Sequence, residues 1–181
     1  MKLTTFTLRY LFTLSLLGLM SLSACANELL EAEQLTAKPT ANFSRDLPKF
    51  SRVYDESSDP FVDATNALAL AKKTNRQVLI EIGGNWCIWC HKIDAFLETN
   101  PDVFQALHSQ YVLLKVSVSD ANENADFMKS LPPVLGYPHM YVSTAEGKML
   151  LSKDTAELLG DNGYSKSQWL TFINKWAKKT L

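Results

Sequence analysis

Apolar and polar positions along the chain follow two periods, and the changes from one to the other divide it into elements. Residues 10–20 are uncharged and mostly apolar, whereas residues 26–58 are mixed and polar with no sustained period. Within that stretch only residues 50–54 suggest a short strand. From Asp59 the pattern becomes regular. Asp59 before Pro60 has the form of an N-cap with proline in the first turn, and Ala64, Ala67, Leu68 and Ala71 recur at helical spacing, so a helix is predicted over 60–74. The nearly unbroken apolar run at 77–82 predicts a buried strand. After Gly83-Gly84 a helix is predicted from about Trp86 to Glu98, and Asn100-Pro101 opens a shorter one ending at His108.

Residues 111–119 read as a second strand, and Asp120 with Glu123 has capping-box spacing for a helix that Pro132-Pro133 must end. Residues 138–143 and 148–153 are two strands joined by a tight turn at Ala145-Glu146-Gly147, and so antiparallel. Ser165 and Gln168 cap a last helix whose Trp169, Phe172, Ile173, Trp176 and Ala177 form a buried stripe. This order predicts an α/β fold. One mixed sheet of four to five strands carries helices on both faces, and its first βαβ unit is parallel and right-handed.

Composition adds limits. The chain has 181 residues, 46% of them hydrophobic, enough for one domain with a core, and a net charge of -1 gives no electrostatic basis for binding nucleic acid. Lys2 and Arg9 precede the apolar stretch as in an export signal. Leu22-Ser23-Ala24-Cys25 at its end resembles the bacterial lipobox. That resemblance implies cleavage after residue 24, a lipid on Cys25, and attachment to the periplasmic face of a membrane. Ala26 after the cysteine favours the outer membrane over the inner. An uncleaved anchor is the other reading of the same stretch. The expected organisation is a signal peptide at 1–24, a lipidated N-terminus and flexible tether at 25–58, and the folded domain at 59–181.

With Cys25 lipidated, only Cys87 and Cys90 remain, a local pair in an oxidising compartment. They stand in Trp86-Cys87-Ile88-Trp89-Cys90-His91, after an apolar strand and at the start of a helix. Unpaired N–H groups and the helix dipole there favour a thiolate at Cys87, and one turn on Cys90 is placed to attack a mixed disulfide. A static bridge is the plain alternative, although so short a loop restricts the unfolded chain little.

These features resemble the thioredoxin superfamily over about residues 60–180. Gln77-Val78-Leu79-Ile80-Glu81-Ile82 before Trp86 is similar to the bacterial thioredoxin-like subgroup that includes electron-carrying C-terminal domains of membrane thiol reductases. The resemblance implies that Glu81 stands where thioredoxins keep a buried Asp that moves the second cysteine's proton. It also implies that Tyr137-Pro138 is a cis-proline site holding an extended substrate segment. Trp86 and Trp89 read as an apolar rim that substrates touch, with packing into the core as the other reading. Ile88-Trp89 replaces Gly-Pro between the cysteines, and Glu replaces Asp. The implied partners are proteins with disulfides or dithiols and a membrane redox partner. The implied cofactor is none.

Two rival readings use the same residues. Cys87-Ile-Trp-Cys90-His91 satisfies the attachment motif of c-type haem, with Met140 as a distal ligand, although a sheet-to-helix junction offers no haem cavity. The two cysteines with His91 or His139 can also be read as a copper or zinc carrier site. His91 reads first as solvent-facing, with support of the Cys87 thiolate as its second role. His108 reads as surface.

Overall fold

The computed structural model describes residues 46–178. The signal segment, Cys25 and the first part of the expected tether lie outside them. In chain order come α1 (Lys49–Arg52), α2 (Pro60–Lys73), β1 (Gln77–Gly83), α3 (Ile88–Thr99), α4 (Pro101–Gln110), β2 (Tyr111–Ser117) and α5 (Ala125–Met128). Then follow β3 (His139–Ser143), β4 (Met149–Asp154), a 3-10 turn (Thr155–Leu158), β5 (Leu159–Gly160), β6 (Gly163–Tyr164) and α6 (Lys166–Trp176). Four strands make one mixed sheet in the order β2-β1-β3-β4, with β1 parallel to β2 and β3 antiparallel to β1 and β4. The mixed α/β architecture is the one the pattern predicts. None of the described helices is long and apolar enough to cross a membrane.

Local chemistry sets the boundaries. Asp59 accepts hydrogen bonds from the N–H groups of Phe61 and Val62, which starts α2. Every residue of β1 is buried, as a central strand covered on both faces requires. Leu79 faces a core with Ile93, Leu97, Val103, Leu107, Trp169 and Phe172. On the other face Val78, Ile80 and Ile82 meet Ala67 and Ala71 of α2.

Four expectations are corrected. Residues 50–54 are not a strand: Lys49–Arg52 form one helical turn, and the Ser51 hydroxyl donates to the Leu113 carbonyl on the outer edge of β2. Consequently the polar stretch ceases to be a tether well before residue 58, with Ser51 and Tyr54 both buried. A four-residue turn is too short for either period to register, and one side-chain hydrogen bond holds it on the sheet edge.

Asp120 and Glu123 cap no helix. Ser119 and Asn122 exchange backbone hydrogen bonds in a turn, and the Asn124 side chain donates to the Ser117 carbonyl at 2.6 Å. That holds Asn124 at φ 46°, left-handed, immediately before the single turn of α5. His108 is not surface either: it is buried, its ring against Phe104. Burial lowers its pKa to about 4, with Arg76 and then Lys115 acting in the same direction. The 3-10 turn and the β5-β6 hairpin fill a stretch that the pattern leaves unassigned.

Candidate active site

β1 ends at Gly83 and α3 begins at Ile88, which leaves Cys87 as the N-cap of α3. Its Sγ accepts the Cys90 N–H at 3.1 Å. The two cysteines are joined as a disulfide with their Cα atoms 5.3 Å apart, and Cys87 and Cys90 are only 3% and 0% exposed. When the bond is reduced, the free N–H groups of the first turn and the dipole of α3 lie where negative charge develops on Cys87.

Beneath the pair lies a cluster of ionisable side chains, buried except for the partly exposed Asp94. Glu81 on β1 is 1% exposed and accepts a hydrogen bond from the Tyr54 hydroxyl at 2.6 Å. Lys115 pairs with Glu81 in the β1-β2 register, and its ammonium makes an ion pair with Asp94 of α3. The same ammonium stands 4.9 Å from the centroid of the Tyr54 ring. Burial raises the Glu81 carboxyl above its ordinary pKa; Lys115 opposes this, Asp94 reinforces it, and the Tyr54 hydrogen bond opposes it. Burial, then the Glu81 charge, holds the Tyr54 phenol well above its usual range. Tyr54 packs with Cys87 and Cys90 in one small buried cluster.

Next to the disulfide in the chain Trp86, Ile88 and Trp89 are apolar and exposed, and so is Tyr137, whose ring meets that of Trp86. Trp86 is oriented by its indole N–H, which donates to the Val118 carbonyl at 2.6 Å, and by an edge-to-face contact with Tyr137 at 5.3 Å. The Tyr137-Pro138 peptide is cis. Pro138 precedes β3 rather than opening it, and its carbonyl accepts the Thr155 hydroxyl at 2.7 Å.

The histidines are turned to other partners. His91 is exposed, with Nε2 2.8 Å from the Asn85 carbonyl. His139 is buried on β3, Nε2 2.8 Å from the Ser152 hydroxyl, and burial lowers its pKa. Among the described residues no three of His, Cys, Asp and Glu gather in a way that suits a metal ion. Met140 is wholly buried in the apolar core with Leu79 and Trp169. His91 and His139 are thus engaged by Asn85 and Ser152, and Met140, the distal ligand of the haem reading, is held in the core.

Tyr54, Lys115 and Asp94 were not singled out from the sequence. Lys115 did leave a signal, as the one charge in the apolar run 111–118. Tyr54 left none, because its partner lies on another element.

Residues 59–144 match the Thioredoxin-like family. The chain carries a thioredoxin-like domain. Its sequence is 33% identical over 81 residues to the thiol:disulfide interchange protein DsbD of Klebsiella pneumoniae, a match covering 44% of this chain and 13% of that protein. The chain thus spans a small part of the curated relative's length. Among solved structures, the thioredoxin-like domain superposes on a disulphide isomerase from Xylella fastidiosa Temecula1 with a TM-score of 0.58 and 24% identity, covering 72% of this chain and 96% of that one. It also superposes on the oxidised C-terminal domain of DsbD from Neisseria meningitidis, with a TM-score of 0.51 and 17% identity over 68% of this chain and 97% of that one. At these identities the likeness establishes the fold.

Proposed function

We propose that this protein is an extracytoplasmic, lipid-anchored thiol-disulfide oxidoreductase that works on protein substrates in the reducing direction. The observation that carries the reading is the Cys87-Cys90 disulfide at the start of α3, with the Cys90 N–H directed at Cys87 Sγ. In the reduced protein the Cys87 thiolate attacks a substrate disulfide, forming a mixed disulfide and releasing one substrate thiolate. Cys90, its proton removed by Glu81, attacks Cys87 Sγ; the mixed disulfide breaks and the second substrate thiolate leaves. Two electrons pass from the dithiol to the substrate, so the chain needs no cofactor for the exchange.

Tyr137 and Pro138 hold an extended substrate segment beside the pair, and Trp86 adds apolar contact. Ile88 and Trp89 place no cation between the cysteines to stabilise the reduced thiolate, which favours a reductant over a strong oxidant. A membrane redox partner then returns electrons to the pair. The signal-like N-terminus and Cys25 support a lipid anchor on the periplasmic face of a membrane, and Ala26 supports the outer one.

Equilibrating the full-length protein in glutathione buffers and trapping its thiols tests both parts. A potential near thioredoxin's, about −270 mV, supports the reducing direction. One near that of a strong oxidant, about −120 mV, reverses it. Failure of Cys87 and Cys90 to cycle at all overturns the oxidoreductase reading.

A further inference from the structure

The carboxyl of Glu81 and the sulfur of Cys90 are both buried, and the group that lies with both of them is a phenol from outside the expected domain. Tyr54 belongs to the N-terminal segment that docks through Ser51 on β2, and its own carbonyl accepts the Asn85 side-chain amide at 3.1 Å. The segment is thus fastened to the loop that leads into Cys87.

Gly83 shows how close the groups are. A Cβ placed on it would collide with Cys90 Sγ and stand 2.8 Å from the Tyr54 hydroxyl oxygen, so both atoms converge on the space that a single methyl group would fill. The hydroxyl has its hydrogen bond with Glu81 already made, at 2.6 Å.

We propose that Tyr54 relays the proton of Cys90 to Glu81 during resolution of the mixed disulfide. This rests on the oxidoreductase reading above and specifies how its resolving step works. As Cys90 Sγ bonds to Cys87 Sγ and the substrate sulfur departs as thiolate, the Cys90 proton passes to the Tyr54 oxygen. The proton already on that oxygen passes to the Glu81 carboxylate. Tyr54 ends as it began, Glu81 ends protonated, and the two electrons leave with the substrate.

The surroundings suit the task. Glu81 is faced by Lys115 from β2, Asp94 from α3, Tyr164 from β6 and Tyr54 itself. Burial keeps the Tyr54 phenol protonated throughout the working range, so it hands protons on without holding a charge. Lys115 is neutralised by Asp94 and so does not pin Glu81 permanently in its charged form.

The test uses the full-length chain with Cys25→Ser, which removes the third thiol from the readout. Reduced protein is mixed with an aromatic disulfide whose released thiolate is coloured, and stopped-flow absorbance follows two releases. The first reports attack by Cys87, the second attack by Cys90. For Tyr54→Phe the relay predicts a second release slowed at least about tenfold at neutral pH, with its pH midpoint moved upward. The first release stays within about twofold of wild type, which also reports an intact fold. Tyr54→Phe combined with Glu81→Gln should be no slower than the slower single variant, because the two act in series.

An unchanged second release in Tyr54→Phe, an equal slowing of both releases, or multiplying effects in the double variant would overturn the relay. The wild-type chain separates this from failure of the underlying reading: without two releases in wild type it is the oxidoreductase assignment that falls.

Discussion

One face of the sheet is built in two ways along its length. Around Leu79, Leu113 and Val142 it is packed mostly with carbon, against Ile93, Leu97, Trp169 and Phe172. Two residues further along the same strands, Glu81 and Lys115 replace the aliphatics, and Tyr54 and Asp94 close over them. The strand period points both halves inward, so burial alone does not distinguish them. What differs is the work done. The carbon half holds the fold together, while the ionisable half spends stability to keep charged and polar groups buried beneath the disulfide.

That division makes separable predictions. Cys87→Ser should lower disulfide exchange with a protein substrate by at least about a thousandfold while the protein unfolds in urea much as reduced wild type does. In the carbon half, Leu79→Ala should cost about 3 kcal/mol in urea denaturation, yet leave the pH dependence of Cys87 alkylation where it was. A shifted alkylation profile in that variant would mean the halves are coupled.

His108 sharpens the contrast, as a titratable group remote from the cysteines. Its folded pKa of about 4 lies below its ordinary value of 6.5, so its stabilising contribution is complete above 6.5 and is lost as pH falls through about 4. His108→Leu should remove on the order of 2 kcal/mol of the acid-induced loss, seen by comparing urea midpoints at neutral and acid pH, with exchange kinetics unchanged.

Glu81 has the opposite sign. Its folded pKa is raised, so its contribution is fully present in acid and is lost as pH rises through that value. Glu81→Gln should therefore melt higher than wild type at alkaline pH, by about 1 kcal/mol at the melting temperature, and the advantage should shrink in acid. Equal melting temperatures at every pH would show that Tyr54 and Lys115 fully offset the burial of the carboxylate.

Much of this was readable in advance wherever the cause is local. Asp59-Pro60 marks the start of α2, the apolar run marks β1, and the two cysteines fall at the strand-to-helix junction that the pattern predicts. Tyr137-Pro138 is cis, as the family resemblance implies. What escaped depends on partners distant in sequence. Tyr54 acquires its meaning from Glu81, 27 residues on, and Lys115 from the register of two strands. His108 follows Leu107 on a helix that buries both, so the polar residues around it in sequence mislead about its surroundings. Asn124 is fixed by the carbonyl of Ser117, a contact that overrides the capping-box spacing just before it.

The docking of Ser51 on Leu113 also imposes an order on assembly. The segment that completes the cluster is synthesised before any of the sheet, but its seat on β2 lies 62 residues later in the chain. Cys87 and Cys90 therefore emerge from the ribosome, or from a translocation channel, before the strand that receives Ser51 is complete. During that interval Glu81 has no phenol over it, and the two thiols belong to a nascent chain whose ionisable cluster is still open to water.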